Sequence, residues 1–212
     1  MSLAAYRHLF VRGTDPAAPP LLLLHGTGGS EEDLIPVAHR LSPGSAMLAP
    51  RGDVLENGAP RFFRRFAEGV FDLDDVRRRT HALADFVATA AESRGFDRTR
   101  LLALGYSNGA NIGNTLLLLR PETLGGALLF RAMVVLEEPP PAGSLGGRRV
   151  LLANGDRDPI VPPDHPGRLA GLLRAGGAEV TQHLAPAAHG LMPGDFAAAA
   201  GWLAAARGNG GR

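Results

Sequence analysis

Leu101-Leu102-Ala103-Leu104-Gly105-Tyr106-Ser107-Asn108-Gly109 decides how this chain is read. Four apolar residues predict a buried strand, and from Asn108 to Leu119 the pattern turns helical. Between them stands one serine with a glycine two residues to either side. A serine at such a junction sits on a sharp, strained bend with its hydroxyl presented outward. Side chains at the two glycine positions would run into neighbouring backbone. The pentapeptide alone is weak, because 28 glycines and seven serines make such a coincidence about a one-in-eight event. The strand before it and the helix after it carry the weight. On the motif alone, a glycine-rich turn around a buried serine stays open.

Outward from this point, short apolar runs alternate with amphipathic stretches, the pattern of βα units on a mostly parallel sheet. Strands are expected at residues 21–24, 46–49, 101–104, 127–130, 150–153 and 179–184, with an edge strand at 6–11. Ser30 and Asp33 have capping-box spacing for a helix reaching about Leu41. Leu73, Val76, Thr80, Leu83 and Val87 mark one face of a long helix ending near Arg94-Gly95. Further helices are expected at 108–119, 166–175 and 196–206, and a frayed end at 208–212. Residues 51–72 are too long for a plain connection, which points to a functional loop. The run from Pro139-Pro140-Pro141 to Gly147 reads as a loop between strands, and no internal repeat or heptad is present.

The bulk properties narrow the function. Residues 1–212 are expected to form one domain, long enough to bury roughly 70% of the surface its unfolded chain exposes. The absence of cysteine excludes a disulfide framework, a thiolate metal site and a cysteine nucleophile. It fits a cytoplasmic protein, and no signal-peptide pattern or membrane span is read. A net charge of +1 gives no electrostatic case for nucleic acid. All 22 basic residues are arginine, which matches the Ala, Gly and Pro bias of a GC-rich genome.

The remaining chemistry lies beyond other predicted strand ends. His25-Gly26-Thr27-Gly28-Gly29 follows the first strong strand; backbone N–H groups of Thr27 and Asn108 there would form an oxyanion hole. A phosphate loop is the alternative, but neither G-x-G-x-x-G spacing nor a following Lys-Ser/Thr is present. His25 reads as a brace for this loop. After the strand at 150–153 comes Asn154-Gly155-Asp156-Arg157-Asp158, where Asp158 is preferred to Asp156 as the acid that orients a histidine. His189, on the loop beyond the strand at 179–184, is the general base. His183 lies within the strand, and His165 would at most line the site entrance. The order serine, acid, histidine matches one known layout of a nucleophilic triad. No cofactor or metal is expected.

Leu24-His25-Gly26-Thr27-Gly28-Gly29, Gly105-Tyr106-Ser107-Asn108-Gly109-Ala110-Asn111, Gly155-Asp156-Arg157-Asp158-Pro159-Ile160-Val161-Pro162 and His189-Gly190 together resemble the phospholipase/carboxylesterase family, in its bacterial branch of esterases. The resemblance runs from about residue 20 to 206 and includes Pro50-Arg51-Gly52 through Gly69-Val70-Phe71-Asp72. It implies an α/β-hydrolase fold, with a mostly parallel central sheet flanked by helices and no large cap. It further implies action on short acyl esters or thioesters, frequent dimers, and the roles already given to Ser107, Asp158, His189, Thr27 and Asn108. Acyl-protein thioesterases of the family commonly carry Gln after the nucleophile. Asn108 stands there in this chain, which puts the thioesterase branch in doubt and leaves catalysis intact.

Phe62, Phe63, Phe66 and Phe71, four of nine phenylalanines, fall in the long 51–72 segment and are the candidate substrate pocket. Anchoring that segment to the core is the alternative. Arg61, Arg64 and Arg65 would attract an anionic substrate or form a solvated face. The expected partner is a small-molecule ester, with a serine carboxylesterase as the leading function. Thioesterase, lysophospholipase and acyltransferase activities share the same triad, and a non-catalytic binder is the remaining alternative.

Overall fold

A computed structural model describes Leu3 and residues 6–208; the rest of the frayed end expected at 208–212 lies outside the described residues. Seven strands build the central sheet: β1 (His8–Val11), β2 (Leu21–Leu24), β3 (Met47–Pro50), β8 (Leu102–Tyr106), β9 (Gly126–Phe130), β10 (Arg149–Gly155) and β11 (Glu179–Ala185). Their order is β1-β3-β2-β8-β9-β10-β11. All neighbours pair in parallel except β1 with β3, which are antiparallel at the edge.

The strands read as unbroken apolar runs because both faces of the sheet are covered. Successive side chains alternate, so Leu22 and Leu24 enter one core while Leu21 and Leu23 enter the other. Helices α2 (Leu73–Arg94), α3 (Asn108–Leu119) and α4 (His165–Ala175) contribute Val76, Leu83, Ile112, Leu116 and Leu169 to the first core. Helices α1 (Ile35–Leu41) and α5 (Pro193–Gly208) contribute Ala38, Ala199, Trp202 and Leu203 to the second. The ends of α2 are written into its sequence: Asp72 accepts the Asp75 N–H at 3.1 Å, and Gly95 closes the helix in the left-handed region at φ 73°.

Helix α1 starts later than its capping box suggests. The Ser30 hydroxyl donates to Asp33 Oδ1 at 2.7 Å and accepts the Glu32 N–H, so the pair closes a turn. The helix begins five residues on, after Leu34, with Pro36 in its first turn and no side-chain cap. Helix α5 starts three residues earlier than expected.

Residues 51–72 are two small hairpins, β4 (Val54–Glu56) with β5 (Ala59–Arg61) and β6 (Arg65–Ala67) with β7 (Val70–Phe71). They are tied down at several points. Gly28 donates to Pro60 O at 2.9 Å, Phe62 N–H to Asn108 Oδ1 at 2.8 Å, and Gly52 N–H to His25 Nε2 at 2.9 Å. Phe62 and Phe63 are buried in the core, packing on His25 and Phe71, so they anchor the hairpins and do not form the pocket wall. Phe66 is 76% exposed.

This assignment is testable by urea unfolding. Phe63→Ala should cost about 3–5 kcal/mol, whereas Phe66→Ala should stay within about 0.5 kcal/mol of the parent.

Candidate active site

In open parallel sheets, ligands bind beyond the carboxyl ends of the strands, where the direction of strand addition reverses. Here β3 lies to one side of β2, while β8 through β11 are added on the other. The loops after β2, β8, β10 and β11 carry His25–Gly29, Ser107, Asp158 and His189.

Ser107 lies between β8 and α3 with φ 51° and ψ −114°, a conformation that costs a non-glycine residue about 1–3 kcal/mol. Its N–H donates to Phe130 O at 2.9 Å, and its carbonyl accepts the Asn111 N–H at 2.9 Å. The flanking glycines are steric requirements. A Cβ on Gly109 would lie 1.9 Å from Leu24 O, and one on Gly105 would lie 2.7 Å from Gly109 O.

His189 Nε2 lies 2.9 Å from Ser107 Oγ, and Nδ1 lies 2.8 Å from Asp158 Oδ2. With Nδ1–H donating to the carboxylate, Nε2 is left to accept the serine proton. The other oxygen of Asp158 accepts the Ile160 and Val161 N–H groups at 2.9 and 3.2 Å, and its side chain is 1% exposed. Asp156 points elsewhere, 45% exposed and 3.4 Å from Arg157. The acid and histidine loops meet closely: Asp156 and Arg157 donate to Ala185 O and Ala187 O, and a Cβ on Gly155 would come within 2.2 Å of Ala187 O.

The Asn108 N–H, in the first turn of α3, has no intrahelical acceptor. The Thr27 N–H also has no partner among the described residues. His25 braces the Thr27 loop as a neutral imidazole: Nδ1–H donates to Gly26 O at 2.7 Å, and Nε2 accepts from Gly52. His165 accepts the Val134 N–H through Nδ1, and His183 lies 3.8 Å from Asp195. Neither lines the cavity over Ser107.

That cavity is about 190 Å³ and is walled by Thr27, Ser107, Asn108 and His189 together with Phe71, Tyr106, Asn111, Met133, Ile160 and the charged Arg61, Arg65 and Glu68. Phe71 alone of the four candidate phenylalanines reaches it. Arg61 is buried, while Arg64 faces solvent at 62% exposure.

Sequence reasoning missed Arg131 and Asp195, an ion pair with both side chains 0% exposed. Arg131 follows β9 with φ 57° and donates to both Asp195 oxygens, to Ala153 O and to Gly190 O. Asp195 also accepts the Met192 N–H at 2.8 Å. The pair therefore holds the loop after His189 against the ends of β9 and β10. An arginine ending an apolar strand was its only sequence trace. Tyr106, whose hydroxyl donates to His189 O at 3.1 Å, was likewise missed as a partner of that loop.

A mostly parallel sheet carrying, in chain order, a serine on a strained strand-to-helix turn, a carboxylate and a histidine defines an α/β-hydrolase. No family model matches the chain. It is 40% identical over 198 residues to the Bacillus subtilis (strain 168) protein named "Putative hydrolase MhqD", covering 92% of this chain and 96% of that one. It superposes on a Bacillus cereus carboxylesterase with TM-score 0.92 at 43% identity, over 96% of this chain and 95% of the other. The structure of YahD with malic acid gives TM-score 0.88 at 30% identity, over 94% and 98% of the two chains. The chain belongs to the bacterial carboxylesterase branch of the phospholipase/carboxylesterase family.

Arg131→Met leaves Asp195 buried without its partner and should destabilise by about 3–5 kcal/mol, most of which Arg131→Met/Asp195→Leu should recover in urea unfolding. Burial pushes the His25 pKa below its ordinary 6.5. The unfolded chain thus takes up this proton first as pH falls. The stability contributed by neutral His25 is complete above about pH 6.5 and drains as pH drops through the folded value. Melting temperature should fall less steeply between pH 7 and 5 in His25→Gln than in the parent.

Proposed function

We propose that Ser107, His189 and Asp158 act as a nucleophile, general base and orienting acid that hydrolyse small carboxylic esters through an acyl-enzyme. The continuous path from Ser107 Oγ through the imidazole to Asp158 carries this reading. The chain is an ester-hydrolysing enzyme of its family, as the named carboxylesterase among its neighbours supports.

In the first half-reaction, Ser107 Oγ attacks the ester carbonyl as its proton passes to His189 Nε2. The tetrahedral oxyanion would be received by the Thr27 and Asn108 N–H groups, a contact worth about 10²–10³ in rate per donor. Collapse breaks the bond to the alcohol, which leaves with the proton from His189. Water then attacks the acyl-enzyme, gives a proton to His189, and that proton returns to Ser107 as the acid departs. Asp158, fixed by two backbone amides, holds the imidazole in the required tautomer and stabilises the imidazolium.

A cavity of about 190 Å³ supports short acyl groups.

The test is hydrolysis of p-nitrophenyl acetate, butyrate and octanoate, with Ser107→Ala in parallel. Acetate and butyrate should turn over faster than octanoate, and the variant should lose about 10⁴-fold or more where background permits. A variant that keeps parental activity would remove Ser107 from the mechanism.

A further inference from the structure

The polar groups around the cavity are strongly biased toward donors. Asn108 Oδ1 accepts the Phe62 N–H, which leaves Nδ2 as the amide's other end, buried and without a partner. Asn111 Oδ1 accepts the Met133 N–H at 2.9 Å, and its Nδ2 has no partner among the described residues. A backbone N–H can meet only the oxygen of an amide, so neither side chain can be turned the other way round. Thr27 Oγ1 accepts from Arg61 Nη1 at 2.6 Å, which leaves the hydroxyl proton to be donated. Arg61 itself, with a side chain 3% exposed, can only donate.

One carboxylate stands among these donors. Glu68 pairs with Arg65 Nη1 and is otherwise half-exposed, at 52%. Behind the wall, Glu56 pairs with both Arg61 and Arg65, at 3.4 and 2.9 Å, and does not line the cavity. With Glu68 swung out to solvent, two guanidinium groups face a single fixed carboxylate. One positive charge is then left without a counter-charge, in a cavity that Thr27 and Asn111 also line.

We propose that this end of the cavity is a carboxylate subsite, and that the substrate is an ester whose acyl part ends in a carboxylate. The substrate group takes the place of Glu68 against Arg65 and Arg61, with the Asn111 amide beside it. Guanidinium–carboxylate pairing is directional and is strengthened by the low exposure of Arg61. The acyl part remains on the enzyme through both half-reactions, so a contact to it acts in both, whereas a contact to the alcohol acts only in the first. The proposal rests on the serine-hydrolase reading above and narrows its substrate.

The experiment compares monomethyl succinate with methyl valerate by acid release at constant pH, in the parent, Ser107→Ala, Arg65→Met and Glu68→Gln. A second readout is protection of Ser107 from a fluorophosphonate label by succinate, with 1,4-butanediol as the neutral control. The parent should favour monomethyl succinate by about tenfold or more in kcat/KM. Arg65→Met should bring that ratio toward one through KM, and Glu68→Gln should raise it several-fold. Ser107-dependent turnover of methyl valerate with no preference for succinate, and no change in the ratio in Glu68→Gln, overturns the subsite while leaving the hydrolase reading intact. If neither ester turns over but Ser107 is labelled, protection by succinate that is lost in Arg65→Met supports the subsite, and no protection overturns it. If Ser107 neither turns over ester nor takes the label, the hydrolase reading fails and the subsite falls with it.

Discussion

The closest backbone approach in the site is the one on which the rest depends. The start of α3 packs so tightly on the end of β2 that any side chain at Gly109 would overlap the carbonyls of Leu24 and His25. This contact sets the loop after β2 beside the turn after β8, and so brings Thr27 and Asn108 to line the same cavity as the serine. The turn reaches that position only with Ser107 in the left-handed region, a strain that persists because its surroundings over-determine it. Phe130 O holds its N–H, Asn111 N–H holds its carbonyl, and Gly105 lets α3 fold back over the strand. The serine is therefore fixed by packing before any catalytic partner is considered.

The histidine is fixed differently, by charge. His189 lies on the loop 186–192, between the edge strand β11 and helix α5, where Ala187 is buried and Leu191 packs against the second core. Buried Arg131 adds to these contacts by reaching two backbone carbonyls, one of them just past His189, and by pairing both terminal nitrogens with Asp195. Taking two ions out of water is costly, and this geometry offsets it with five further or shared hydrogen bonds, leaving only Arg131 Nε without a partner among the described residues. Such a pair adds little net stability. Its contribution is to specify where the loop bearing His189 lies, at the junction of the strands that bear the serine's anchor and the acid.

The strands were legible because each is an apolar run buried on both faces, and Leu21 to Leu24 appears in the structure at the predicted residues. The serine, acid and histidine were legible because each had to follow a strand end in a given order. Helix α1 was misjudged because Ser30 and Asp33 can satisfy each other as readily as they can cap a helix. Phe62, Phe63 and Phe66, unlike Phe71, fall outside the cavity for a related reason. Composition reveals that the 51–72 segment carries apolar surface, but whether a ring faces the cavity or the core depends on hairpin register, which short strands of two or three residues specify weakly. Arg131 and Asp195, 64 residues apart, left no local trace beyond an arginine at the end of an apolar strand.

The polarity of the cavity follows from the same hydrogen bonds that hold the hairpins in place. Asn108 uses its side-chain oxygen to fix Phe62, Asn111 uses its own to fix the chain at Met133, and Thr27 uses its oxygen to receive Arg61. Each tie consumes an acceptor and leaves the donor of the same side chain unused. A pocket built this way cannot be indifferent to what enters it, since an apolar acyl chain would leave those donors desolvated without partners. A group rich in acceptors would satisfy them. The asparagine after the serine thus has two tasks of unlike kind: its backbone faces the proposed oxyanion, and its side chain fastens the segment that closes the pocket. A longer amide at this position could keep the first task but would have to place its oxygen elsewhere for the second, so the choice of residue links the closure of this pocket to the chemistry it can accept.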